Sequence, residues 1–228
     1  MEMQYPSSWL QGASLGERIS CELRLQIIKG VIQPGIVLSE NQIAAEFGTS
    51  RSPVREALKT LSTEGLIRLE RMGAVVLGLT SKDIEELYDV RFLIENFVLQ
   101  RLAKDPHENL VATLNKIIDK MEFAAKYHDY VEFSYQDLHF HEVMIAAVNH
   151  TRILHLWNGI RHIVLTALLV ATEKRFAKHT QGAATVINNH RSIVNALVSK
   201  DAAYIEKIVE AHFEDTRKTV SDSIFHTE

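Results

Sequence analysis

Apolar residues change their spacing along this chain, and each change marks an element. Ile43, Ala44 and Phe47 recur at helical spacing ahead of Gly48, and after Ser50 the same period returns in Val54, Ala57, Leu58 and Leu61. Ser39 with Gln42 three positions later predicts a capping box for the first helix, and Gly48 predicts its stop. Ser50 is the expected N-cap of the second helix, and Pro53 is tolerated in a first turn because its missing N–H has no intrahelical partner there. The runs 66–70 and 74–79 are short, apolar and β-prone, and the intervening Arg71, Met72 and Gly73 predict a hairpin with Gly73 at its tip. From residue 80 onward the period is helical throughout. Stretches run from 80 to about 104 and near 107–127, 129–149, 151–176, 184–199 and 201–222, with breaks at Pro106, Asn149, the Gly182 region and the Lys200 and Asp201 pair. The expected fold is therefore mainly α: a winged helix-turn-helix with a small β-hairpin wing over residues 1–79, including a short N-terminal extension, then an all-α antiparallel bundle of six helices over 80–228.

The stripe of the second short helix leaves Arg51, Ser52, Arg55 and Lys59 on the opposite side. In a helix-turn-helix the start of the second helix enters the major groove, where an arginine can donate two hydrogen bonds to guanine. Arg51 and Arg55, one turn apart, are the candidate base readers, and Gly73 would let the wing backbone approach phosphates or the minor groove closely. A surface helical hairpin could show any two of these features. A short helix, a tight turn, an arginine-bearing second helix and a glycine-tipped hairpin in that order point instead to DNA reading.

Composition agrees with a globular protein of two domains: 228 residues, 46% hydrophobic and 24% charged. One cysteine, Cys21, allows no intramolecular disulfide and fits a reducing, cytoplasmic setting. The first residues show neither the basic start nor the apolar core of a signal peptide, and the longest apolar run, 163–171, falls short of the about 20 residues a membrane span needs, so no membrane is expected. The net charge of −4 is unlike that of a nucleic-acid binder, yet residues 51–71 carry five Lys or Arg against three Asp or Glu. DNA affinity would then depend on where charge is placed and on dimerisation.

Polar groups interrupt the apolar stripes of the later helices. Arg91 sits among Ile84, Leu87, Tyr88, Ile94, Val98 and Leu102; Asp137 and His141 line up with Phe133, Met144 and Val148; His190 lies with Ile187, Ile193, Val194 and Leu197; His212 lies with Ile205, Ile208, Val209 and Thr216. A single buried histidine is usually a hydrogen-bonded core residue. An aspartate, three histidines and an arginine are costly to bury together unless they satisfy one another or a metal. Asp137 and His141, at i and i+4, project from one face, and His190 and His212 would complete a three-nitrogen, one-oxygen set suited to a divalent ion, zinc first, with nickel, iron or manganese as alternatives. Such an ion with Arg91 against Asp137 leaves a positive surplus, which suits a small carboxylate effector. A metalloenzyme is the competing class, but no separate general base or nucleophile is placed beside the cluster, and a winged helix would be unexplained. The metal could also be a structural staple or itself the sensed signal.

With these residues in view, the chain resembles the GntR family of bacterial regulators, in its FadR-type branch with an all-helical FCD effector domain. The resemblance rests on SRSPVREAL followed by LIRLERMGAVV, and on D-x-x-x-H at Asp137 and His141 with later His190 and His212. It implies operator contacts from Arg51, Ser52 and Arg55, a wing tip at Gly73, and a metal at the four polar positions. YPSSWL, LSENQIAAEFGTSRSPVREALK and YDVRFLIENFV are similar to the branch that answers to gluconate, which implies gluconate or a related sugar acid as effector. The expected whole is a homodimeric regulator, a repressor, bound to palindromic operator DNA and released when the carboxylate reaches the metal and Arg91.

Overall fold

The computed structural model describes residues 4–104, 108–178 and 181–225, so Pro106, one of the expected breaks, lies outside the described residues. Two compact units divide the chain between Thr80 and Ser81.

The first unit contains a helix that the apolar spacing from Ser39 onward leaves out. Helix α1, Leu15–Ile28, starts with a complete capping box: Ser14 accepts from the Glu17 N–H at 3.2 Å, and the Ser14 N–H donates to Glu17 at 2.7 Å. Its Ile19, Leu23 and Ile27 join Val54, Ala57, Leu58 and Leu61 of α3, Arg51–Thr63, in one apolar cluster with Ile43 and Ala44 of α2, Glu40–Glu46. Arg24 of α1, fully buried, donates through Nε at 2.8 Å and Nη2 at 2.6 Å to Glu64 at the end of α3, a two-point bond that fixes the angle of the two helices.

Helices α2 and α3 and the turn at Gly48, with a φ of 60°, are the expected helix-turn-helix. Ser39 and Ser50 stand at the N-caps, but neither side chain makes a capping bond. The capping box expected at Ser39 and Gln42 is thus absent, because the Gln42 amide turns forward to Glu46 at 3.2 Å instead of back to the cap.

The hairpin is one strand short of the observed sheet. β2, Ile67–Glu70, and β3, Gly73–Val76, pair antiparallel, and β1, Val37–Leu38, adds to the other edge of β3 to give the order β1-β3-β2. Gly73 pairs with Glu70 and closes the hairpin rather than forming its tip, which is Arg71 and Met72. A Cβ on Gly73 would stand 2.7 Å from the Leu38 carbonyl oxygen, and its φ of 144° is strained for any L side chain. Passage of β1 is what demands this glycine.

The second unit has six described helices: α4 Ser81–Leu102, α5 Glu108–Lys126, α6 Tyr130–Ala147, α7 Thr151–Lys178, α8 Gln181–Ser199 and α9 Ala202–Phe225. His128, Asn149 and Lys200, all with positive φ, end α5, α6 and α8 in tight turns. Helices joined by such short turns pack as antiparallel neighbours: α5 on α6, α6 on α7 and α8 on α9. Helix α7 ends at Lys178 and α8 begins at Gln181, in the Gly182 region as expected, with Gly182 itself in the first turn of α8. Helix α7 is by length and composition apolar enough to cross a bilayer, although its longest continuous run is not, and half of that stretch is buried in the unit with Val164, Leu168 and Ala171.

Candidate metal centre and nucleic-acid interface

The centre of the second unit is polar. Helix α6 supplies Asp137 and His141, α8 supplies His190, α9 supplies His212, and α4 supplies Arg91 together with a residue that the apolar stripe did not single out, Glu95. All six are buried, from 0% exposure at His141 and His190 to 6% at Asp137. One donor atom from each of Asp137, His141 and His190 lies within 4.8 Å of the others. The His212 ring is centred 5.3 Å from that of His141 and 5.4 Å from that of His190, so the fourth expected ligand packs beside the group without belonging to it.

The hydrogen-bond pattern prepares these rings for a cation. His190 Nδ1 lies 2.8 Å from the Val186 carbonyl, which can only accept, so Nδ1 donates there and Nε2 is the nitrogen turned to the centre. That Nε2 faces Asp137 Oδ1 at 3.2 Å. His141 repeats the arrangement: Nδ1 pairs with Glu95, and Nε2 faces the same Asp137 oxygen at 3.6 Å. A lone pair set against a carboxylate is unfavourable unless a proton or metal ion lies between them. His212 has no hydrogen bond at either nitrogen, and His190 none at Nε2, which are costly states for buried groups. Burial first, then the neighbouring His141 and His190, hold the His212 pKa well below the histidine range, so it is a neutral donor. Burial acts against the Asp137 carboxylate, yet His190 and His141 outweigh it and hold its pKa well below the usual range. Asp137, His141 and His190 could hold a metal ion, and the carboxylate of Glu95 behind His141 stands where an outer partner orients a metal-bound imidazole.

Arg91 donates through Nε to Glu95 at 3.1 Å, and its guanidinium carbon lies 5.1 Å from the Phe213 ring centre and 5.2 Å from that of Tyr88. Among the described residues its two terminal nitrogens and the Tyr88 hydroxyl are buried without a partner of good hydrogen-bond geometry, although the guanidinium and the phenol are close enough to act on each other. Burial pushes the Tyr88 phenol up to about 12, so it remains a donor. Glu95 trims the positive surplus expected from Arg91 and Asp137 alone. Its sequence signal was present: it stands i+4 to Arg91 beside Ile94 on the buried side of α4.

In the first unit Arg51, Ser52, Arg55 and Lys59 are all exposed on α3. Arg55 does not stand free: its Nε donates to both oxygens of Glu40, each at 2.9 Å, so α2 holds the arginine against the turn. Glu40 was not among the expected site residues. Met72, 86% exposed beside Arg71 at the wing tip, reaches farther than Gly73, which is half-buried.

Residues 15–77 match the family described as bacterial regulatory proteins, gntR family, and residues 86–215 match the FCD domain. The chain is 45% identical over 221 residues to the gluconate operon transcriptional repressor of Bacillus subtilis (strain 168), covering 97% of this chain and 91% of that protein. It is 44% identical over 218 residues to the protein of the same name from Bacillus licheniformis, covering 96% and 90%. Among solved structures, E. coli McbR/YncC shares the fold with a TM-score of 0.69 over 91% of this chain and 97% of that one, at 18% identity.

Proposed function

From the premise that this chain belongs to the GntR family of bacterial regulatory proteins and carries its FCD domain, we propose that it represses a gluconate-utilisation operon and leaves its operator when a sugar acid binds the metal centre. Membership makes it a DNA-binding transcriptional regulator and sets the metalloenzyme alternative aside. The observation that carries the effector reading is the group of buried donors that have no partner of good geometry among the described residues: Nη1 and Nη2 of Arg91 and the hydroxyl of Tyr88, beside the four candidate metal ligands.

Asp137, His141, His190 and His212 would hold the ion, zinc being the first expectation for three imidazoles and a carboxylate. Bound there, it supplies open coordination positions for a carboxylate oxygen and the neighbouring hydroxyl. Arg91 receives the carboxylate as a planar fork, and its bond to Glu95 keeps that fork aimed. The Tyr88 hydroxyl can donate to the same group. Arg51, Ser52, Arg55 and Lys59 would read one operator half-site, with Gly73 closing the wing hairpin alongside. The homodimer that a palindrome requires has a candidate face on α4, where Val90, Leu93 and Phe97 are 39%, 68% and 42% exposed on the side away from the buried stripe. By linkage, an effector that weakens operator binding must itself be bound more weakly on operator, by the same factor.

Fluorescence anisotropy of the metal-loaded protein on its own upstream DNA tests this reading. Gluconate should release the DNA, and chelation should abolish release while leaving DNA binding. Tight binding that no sugar acid relieves would overturn the effector assignment.

A further inference from the structure

One cation near the centre is unaccounted for by metal binding or by Arg91. Arg175, near the end of α7, is part-buried, and among the described residues it has neither a hydrogen bond nor an ion pair. Buried arginines elsewhere in this protein are tied: Arg24 to Glu64, and Arg91 to Glu95. None of its nitrogens is among the fully buried, partnerless atoms, so its fork is open to a ligand, while burial of the rest holds its pKa below the arginine range against the pull of Asp137, Asp215 and Tyr88.

Packing fixes where this side chain points. Phe176 meets Phe133 of α6 with ring centres 5.4 Å apart, which sets the register of the two antiparallel helices. Asp137 is one turn further along α6, and is therefore level with a point one turn back along α7, near the buried Thr172. Helical side chains lean toward the N-terminus, so Arg175 leans in that direction. Its stem crosses α8 at Gly182. A Cβ there would lie 2.5 Å from Arg175 Cδ and 2.8 Å from Cγ, so a side chain at this position would push the arginine stem out of its present path. Gly182 is two turns before His190 and one before Val186, whose carbonyl orients the His190 ring. Asp215, one turn beyond His212 on α9, accepts from Asn189 at 3.0 Å and closes the same side. The base of the guanidinium, Nε, lies beside Gly182, on the face of α7 that one turn earlier buries Thr172 level with Asp137, and Asp137, Asp215 and Tyr88 are near enough for their charges to act on it.

We propose that Arg175, seated on Gly182, is a specificity residue of this site and binds the hydroxylated end of a sugar-acid effector, the end that lies away from the carboxylate. This rests on the effector reading above. A polyol chain fits the role because its hydroxyl oxygens accept hydrogen bonds from a planar fork. Among the described residues none takes those donors. A short carboxylate without a hydroxyl chain would fill the metal and Arg91 positions and never reach Arg175.

Calorimetric titration of the metal-loaded full-length protein with gluconate and with acetate tests this, using wild type, Arg175→Ala, Arg175→Lys and Gly182→Ala. In Arg175→Ala, gluconate affinity should fall about tenfold to a hundredfold while acetate affinity stays within about twofold. Arg175→Lys should restore part of the loss. Gly182→Ala should reproduce the gluconate defect with the arginine still present, although alanine is the better helix former. Metal content and melting temperature should match wild type in Arg175→Ala. Equal losses for both ligands, or none, would overturn the assignment of Arg175 while leaving the effector reading intact. Wild type that binds neither ligand would overturn both.

Discussion

In the first unit the residues proposed to face DNA stand outside an apolar cluster: Arg51, Arg55 and Lys59 are exposed, and none of the buried side chains beneath them on α3 is polar. The second unit is built the other way round. Its chemistry is the core, with Arg91, Glu95, Asp137, His141, His190 and His212 buried where the other helices put leucine and isoleucine. Reading and sensing therefore relate differently to stability. A residue proposed to face DNA can be removed with the fold intact, whereas Arg91, Glu95, His141 and Asp137 satisfy one another in a chain, so function and folding should fail together at these buried positions and separately in the first unit.

The largest effect should come from His141→Ala. It removes a metal donor and leaves Glu95 and Asp137 without the ring between them, so a loss of about 3 kcal/mol or more is expected in the metal-loaded protein. Chelation should lower the melting temperature of wild type toward that of the variant and leave the variant unchanged. A variant that melts like wild type and still answers to gluconate would mean that the polar core is not a metal centre. A variant that loses stability yet keeps the gluconate response would make the ion a structural staple.

Gly73→Ala should come next, and it crosses the comparison, because this expected DNA-contact residue behaves like one of the buried kind. Its φ of 144° and the Leu38 carbonyl at 2.7 Å from a Cβ predict a cost of about 1–3 kcal/mol. Denaturant unfolding of the full chain, followed by a signal from the first unit, checks it. An unchanged midpoint would show that β1 moves aside without cost and that the glycine is there for DNA after all.

Those two residues also show how much was legible. The helices of the second unit were readable because their apolar period survives for four to seven turns, and Asp137, His141, His190 and His212 showed as polar breaks in it. Glu95 was harder to see because it stands beside Ile94, which already fills the stripe. Arg175 carries no such mark: its role follows from a glycine on another helix and from the missing partner, both of which exist only once α7 and α8 are packed. Strand β1 was hidden for a related reason. Two residues are too short for a period, and Val37 is exposed, so only its pairing with Val75 defines it. The contact between Glu40 and Arg55 spans fifteen residues and depends on the helix-turn-helix angle, which no local pattern encodes.

That contact gives the smallest and sharpest test. Arg55→Ala should reduce operator affinity by about tenfold to a hundredfold if the arginine reads guanine, with no change in melting temperature. Glu40→Gln keeps Arg55 but removes both the carboxylate that holds it and a negative charge facing the same way. Affinity for a scrambled duplex should rise by about two- to fivefold, since one fewer acidic group opposes the phosphates. Operator affinity should rise less, or fall, because an untethered arginine pays more side-chain entropy to form a two-point contact. The ratio of the two affinities, measured by anisotropy at one salt concentration, is thus expected to drop although the protein has become more basic. An unchanged ratio in Glu40→Gln, alongside a large loss in Arg55→Ala, would mean that Arg55 is positioned by DNA alone. The first unit would then be as separable, residue by residue, as its exposed chemistry suggests.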